Sequence, residues 1–301
     1  MKEIKPIITK LLIFFAVMAF LDYVFGTALK KCYFLQKKGY DYLATYALDS
    51  AKSDMLIVGS SRAAHHYNPA IIQDSLHATV FNAGADGTFM FYYDAILRSA
   101  LKRYHPKVVI MDLLPDEFEK GQEAYDHLSL LLPYYSYHPE IRPIIQLRGP
   151  YEKYKLLSKT YPYNSKLLSA ITTLLHAKQG VKSYDGYIPL NNKMVVAEPV
   201  MTFKNDIDTL KLAYFKNFIN ECTANGIKLI VSVSPIYIKY NPSKSIELGK
   251  EICAAHHIPF FNYLHDPDFG KPMFSDPHHL NSQGADLFTK KFIADIRPVL
   301  K

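Results

Sequence analysis

The 301-residue sequence has no tryptophan and only three cysteines. Cys32, Cys222 and Cys253 lie far apart without Cys-x-x-Cys spacing, which excludes a disulfide framework and a cysteine-built zinc site. Cys222 and Cys253 are expected to be two buried free thiols, with a Cys222–Cys253 bridge in an oxidising compartment as the alternative. Histidines 65, 66, 77, 105, 127 and 138 are scattered, and His256-His257 stands near no carboxylate cluster in sequence. No metal and no cofactor is therefore expected. A phosphate loop is missing too: Gly59-Ser-Ser-Arg62 has neither dinucleotide-loop glycine spacing nor a P-loop lysine. The net charge is +7 and the pI about 9.0, yet Lys and Arg are dispersed along the chain. No basic stripe with interleaved aromatics suggests nucleic acid, whereas mild basicity suits a membrane-proximal protein.

One long apolar run is present. Leu11 to Leu29 is broken only by Asp22 and Thr27, with Lys2, Lys5 and Lys10 before it and Lys30 and Lys31 after. Nineteen residues suffice to cross a bilayer core as a helix. Residues 1–30 are thus expected to be an uncleaved anchor, with a cleavable signal peptide ending near Gly26-Thr-Ala28 as the competitor. Either export route places the rest outside the cytoplasm, in the periplasm or at the cell surface.

Residues 31–301 then alternate strands and helices. Met55–Val58, Thr79–Phe81 and Lys107–Asp112 are short apolar runs of the buried-strand kind. Ala63 to about Ser75 and Thr88 to Arg103 have helical character. After residue 204 come a helix over Asn205–Asn225, a strand over Ile227–Val233, a helix over Ser243–His256 and a strand over Ile258–Phe261. A closing helix, Ser282–Leu300, follows, capped by Asn281 or Ser282. This order predicts an α/β fold with a parallel sheet and right-handed crossovers. Residues 119–204 interrupt it with Tyr- and Pro-rich sequence, an amphipathic piece from Tyr154 to His176, and a turn at Asp185–Leu190. They are expected to be an insertion over the sheet's C-terminal edge, a lid or substrate wall, in preference to a separate domain because no linker flanks them.

Two stretches carry candidate chemistry. Gly59-Ser-Ser61-Arg62 hands a buried strand to a helix, at the sheet end where ligands bind. Asp276-Pro-His-His279 places a carboxylate and an imidazole three residues apart, so that the carboxylate can fix the tautomer and free the other nitrogen as a base. Against a serine this makes a nucleophile–base–orienter set. Gly84, after the second strand, offers a backbone N–H to an oxyanion, and Asn82-Ala-Gly84 could equally be a tight turn. The Gly-x-Ser-x-Gly elbow is absent, since residue 63 is alanine.

Taken together, Gly59-Ser-Ser61, Asn82-Ala-Gly84 and Asp276-x-x-His279-Leu resemble the blocks of the SGNH (GDSL-like) hydrolase superfamily. The resemblance covers about residues 54–118 and 205–295. It implies a flavodoxin-like three-layer α/β/α sandwich, Ser61 as nucleophile, Asp276 and His279 completing a triad, and the Ser61 and Gly84 N–H groups as oxyanion donors. The family's Gly-x-Asn-Asp block has no counterpart, for the region reads Met111-Asp112-Leu-Leu-Pro-Asp116-Glu117. A third donor must then come from elsewhere, Arg62 being one candidate, or the site is weakened. The Gly-Ser-Ser form on a membrane-tethered chain is similar to the DltD-like and AlgJ-like envelope-acylation branch. That implies a serine esterase or O-acyltransferase acting on acylated glycans, beside a membrane-bound O-acyltransferase. The alternative is an inactive envelope protein that binds glycan or such a partner.

Overall fold

In the computed structural model, which describes residues 4–166, 168, 172 and 185–300, Ile4–Phe34 is one helix (α1). By length and composition it can cross a membrane, as an anchor or a signal sequence. Its character changes partway. Residues 4–21 are exposed, whereas Gly26 and Tyr33 are buried. The Asp22 carboxylate accepts from Ser158 Oγ (2.6 Å) and from the N–H groups of Lys159 (2.7 Å) and Thr160 (3.1 Å). A Cβ on Gly26 would lie 2.3 Å from the Lys159 carbonyl carbon, so only glycine permits that approach.

By internal contacts the chain divides into two compact units, residues 1–42 with 129–180 and residues 43–128 with 181–301. The first joins α1 to short helical turns at Pro139–Ile141, Arg142–Gln146, Glu152–Lys155 and Tyr161–Lys166. The amphipathic helix expected to reach His176 is replaced by these turns as far as Lys166; beyond it only Leu168 and Thr172 are described, both helical, and the rest lies outside the described residues.

The second unit holds a five-stranded sheet. Its strands are β1 (Met55–Val58), β2 (Val80–Asn82), β3 (Val108–Asp112), β4 (Lys228–Val233) and β5 (Phe260–Asn262). All are parallel, in the order β2-β1-β3-β4-β5, which is the flavodoxin-like order with its switch point between β1 and β3. Met55 pairs with Val108 and Ile57 with Ile110, so these alternate residues share one face. Phe288, Phe292 and Ile296 of the closing helix Ser282–Leu300 pack in the same core. That helix also covers Ser61–His66 (α2) and Pro69–Leu76 (α3). Across the sheet, Met90–Leu101 (α4) packs with Thr209–Ala224 (α5). The fold is α/β, a parallel sheet between helices.

One expected helix divides. Ala63–Ser75 becomes α2 and α3 because Tyr67-Asn68-Pro69 breaks it. Pro69 disfavours helical backbone at Asn68, whose side chain instead caps α3 through the Ala70 N–H. Cys222 and Cys253 are buried free thiols, and burial pushes both up to about 12.

Candidate active site

Ser61 is the first residue of α2, just beyond the C-terminal end of β1. Gly59 makes the turn between them, where a Cβ would lie 2.6 Å from the Ala63 methyl and 3.1 Å from Asp112 Cβ. Ser60 caps α2, its Oγ accepting from the Arg62 N–H at 3.4 Å. Ser61 N–H opens the helix and has no acceptor within the helical pattern.

Asp276 and His279 come from a hairpin. Phe274–Asp276 pairs antiparallel with His279–Leu280 across Pro277-His278, with Asp276 opposite His279. His279 Nδ1 lies 2.9 Å from both Asp276 oxygens, and Nε2 lies 2.7 Å from Ser61 Oγ. A carboxylate only accepts, so Nδ1 carries the proton and Nε2 is left as the acceptor for the serine hydroxyl. Burial alone would raise the Asp276 carboxyl. The hydrogen bond from His279, its charge, and the His278 N–H outweigh burial and hold Asp276 below its ordinary value. The three residues expected from sequence therefore meet, although 218 positions separate Ser61 from His279.

The accessory residues are placed differently. Gly84 N–H donates to Asn82 Oδ1 at 3.0 Å, so it is engaged inside its own turn and does not stand open to an oxyanion. Asn82 is a strap: its Nδ2 donates to the Ala63 and Tyr67 carbonyls at 2.7 and 3.1 Å. Gly84 packs so closely on α2 that a Cβ would sit 2.5 Å from the Ala64 nitrogen. Arg62 is buried and turned toward the sheet. Nε donates to Ser234 Oγ (3.1 Å), Nη2 donates to the Ser234 carbonyl (2.7 Å), and Nε lies 3.5 Å from Asp112 Oδ2. Only Nη1 is buried without a partner. Arg62 is thus chiefly the counter-ion of Asp112, which occupies the position where a third oxyanion donor was sought.

Asp112 itself is enclosed. Tyr67 OH and Ser234 N–H donate to Oδ1 at 2.9 Å each, and Ser234 Oγ donates to Oδ2 at 3.1 Å. Burial raises its carboxyl, against the pull of Arg62 and these donors. A carboxylate so enclosed offers no hydrogen to an oxyanion.

Three residues not singled out from sequence complete the surroundings. His66 Nε2 accepts the Leu280 N–H at 3.0 Å, so its proton is on Nδ1, which faces Ser234 Oγ at 2.9 Å. Burial, then the charges of Arg62 and the neighbouring histidines, hold His66 far below its usual value, in the neutral form this geometry requires. Ser234 Oγ therefore accepts from Arg62 and His66 and donates to Asp112, which saturates it. The Leu280 bond ties the backbone beside His279 to α2. His65 donates from Nδ1 to the Ile188 carbonyl (2.7 Å), and its ring stands edge-on to His279 at 5.3 Å. The signal in the sequence was spacing: His65 and His66 follow Ser61 by one helical turn.

No family profile matches the sequence, and no curated relative does. Among solved structures, the chain is similar to a GDSL-like lipase from Bacteroides thetaiotaomicron VPI-5482 (TM-score 0.44, 12% identity, 86% of this chain and 99% of that one). It is also similar to a psychrotrophic esterase from Pseudoalteromonas sp. (TM-score 0.42, 12% identity, 82% and 97%). A family two carbohydrate esterase from Clostridium thermocellum, in complex with cellohexaose, overlaps with TM-score 0.43, 12% identity, 82% and 64% coverage. Overlap at this level carries no argument about activity, so the chemistry is read from Ser61, His279 and Asp276 themselves.

Proposed function

We propose that the chain is a serine esterase or O-acyltransferase of acyl esters. The observation that carries this reading is the 2.7 Å contact between Ser61 Oγ and His279 Nε2, with Asp276 on the opposite ring nitrogen. His279 takes the Ser61 proton as Oγ bonds to the ester carbonyl carbon, and the Ser61 N–H faces the resulting oxyanion. The tetrahedral adduct collapses, its C–O bond breaks, and His279 returns the proton to the leaving alcohol. Water or a sugar hydroxyl then attacks the acyl-serine, with His279 again the base. The substrate class proposed is an acylated cell-envelope glycan, beside a membrane-bound O-acyltransferase. Support comes from the apolar helix α1 and the Gly59-Ser-Ser61 form of the nucleophile turn. The bonds that build Asp22 into the first unit, and the close approach of Gly26 to Lys159, favour α1 as a retained single-pass anchor, because cleavage near Gly26-Thr-Ala28 would remove them.

A second reading, a non-catalytic envelope protein that binds glycan or that partner, is favoured by the engaged Gly84 N–H and by Asp112 in the third-donor position. One experiment separates the two. A serine-reactive fluorophosphonate labels the wild-type chain and not Ser61→Ala if the first holds. Labelling that persists in Ser61→Ala removes Ser61 as nucleophile, and no labelling of either protein supports the second.

A further inference from the structure

The first unit has a cavity of about 280 Å³ beside α1, at the point where the helix ceases to be apolar. Its walls include Tyr23, Lys30, Ser136, Tyr137, Ser158 and Lys159. Lys30 Nζ stands 4.4 Å from the Tyr137 ring centroid, a cation–π contact that holds the ammonium at the rim. Asp22, the nearby acid, already accepts from Ser158, Lys159 and Thr160, so its carboxylate is satisfied without the lysine ammonium groups.

The depth is that of a membrane surface. Residues 4–21, the exposed part of α1, span about 27 Å of helix, close to a bilayer's hydrocarbon thickness, with the Lys5 and Lys10 side chains leaning back toward the opposite headgroups. Tyr23 and Gly26 then lie within the first few ångströms of the headgroup layer, and Lys30 about one turn beyond. Helical side chains lean toward the N-terminus, so Tyr23 and Lys30 reach back toward the lipid. The charge is also unevenly shared. Lys and Arg are dispersed along the sequence, but the first unit has fourteen of them against five Asp and Glu, a net of +9. The second unit has twenty-one against twenty-three, a net of −2.

From this placement we infer that the cavity seats the phosphate of an anionic phospholipid headgroup between Lys30 and Lys159, fixing the first unit at the membrane surface. The inference rests on α1 being retained as an anchor and is independent of the esterase chemistry. Its test uses full-length protein extracted from membranes in mild detergent, at its intact mass of 34.4 kDa, and native mass spectrometry with added phosphatidylglycerol or phosphatidylcholine. Phosphatidylglycerol should be retained preferentially, and K30Q/K159Q should weaken its retention about thirtyfold, the product of two surface cationic contacts. K153Q/K155Q, outside the cavity, should leave it nearly unchanged, and K30R/K159R should preserve it if the Gln pair lowers the unfolding temperature. Equal retention of phosphatidylcholine overturns the inference. So does an equal loss in K153Q/K155Q, displacement by soluble glycerol phosphate at matching concentration, or recovery of a chain lacking α1.

Discussion

Replacing Asp276 by Asn tests whether tautomer control, and not mere proximity, is what the hairpin provides. Asp276 Oδ1 also accepts the N–H groups of His278 (2.9 Å) and His279 (3.1 Å). An asparagine oxygen in that place keeps the turn, and its amide NH2 then faces His279 Nδ1. A donor there forces Nδ1 to be the acceptor, so the proton moves to Nε2 and points at Ser61 Oγ. The imidazole can no longer take the serine proton. The expected loss in kcat/KM on p-nitrophenyl acetate is about 10³- to 10⁴-fold, or about 4–5.5 kcal/mol of transition-state stabilisation. The fluorophosphonate labelling rate should fall in parallel, while the unfolding midpoint near neutral pH drops only by the modest contribution of a half-exposed carboxylate. Activity within tenfold of wild type would show that the Asp276–His279 pair does not set the base, and the relay would have to be abandoned. The pH dependence adds a sign. Because the Asp276 carboxyl is held below its ordinary value, its favourable contribution is present above that value and lost as pH falls through the lowered one. Asp276→Asn removes that acid-side loss.

Three further outcomes are expected. Arg62→Met leaves Asp112 buried without its cation and should lower stability by about 3–5 kcal/mol; a urea midpoint measured at pH 5 and pH 8 should show the larger deficit at pH 8, because at pH 5 the Asp112 carboxyl, raised by burial and no longer held down by Arg62, can take up a proton and relieve the unpaired charge. Glu117, buried and capping α4 through the Met90 N–H at 2.6 Å, is raised by burial, against the pull of Lys211, to about 7. The folded state then holds its proton more tightly than the unfolded chain, so stability is greatest below the ordinary value and declines as pH rises toward about 7. Glu117→Gln should flatten that decline, and an unaltered slope would exclude Glu117 as its source. Phe288→Ala, emptying a fully buried site between Tyr67 and Tyr263, should cost about 3–5 kcal/mol by chemical denaturation.

The sheet was legible because β1 to β4 are buried on both faces, Lys228 apart, and therefore appear as unbroken apolar runs, while the edge strand β5 is half-buried to exposed. Met55–Val58 and the closing helix Ser282–Leu300 match their expected limits. Local chemistry moved the other boundaries. Asp208 caps α5 through the Leu210 and Lys211 N–H groups, so that helix begins at Thr209 and not at Asn205. Asn68 and Pro69 split the helix after Ser61 for the same kind of reason. The Asp276–His279 pairing was visible as a three-residue spacing, since a two-residue turn must set its flanking positions opposite each other.

What the sequence could not display is the direction of each polar side chain once two strand ends are brought together. Asp112 and Ser234 are 122 positions apart and neighbours only through the β3–β4 register, in which Asp112 pairs with Ser232. That register carries Ser234 to the end of β3, where its hydroxyl is saturated by Arg62, His66 and Asp112. An arginine next to a candidate nucleophile invites a role on an oxyanion, but a buried carboxylate at the end of β3 is the stronger claim on it. Leaving Asp112 unpaired would cost about 3–5 kcal/mol of stability, and turning Arg62 to an oxyanion would also break its bonds to Ser234. The same network delivers a neutral His66 to the Leu280 N–H and so anchors the strand that bears His279. Asp112 at the end of β3 thus places an ion pair with Arg62 beneath Ser61 and His279, and through Ser234 and His66 it helps hold the strand that bears His279.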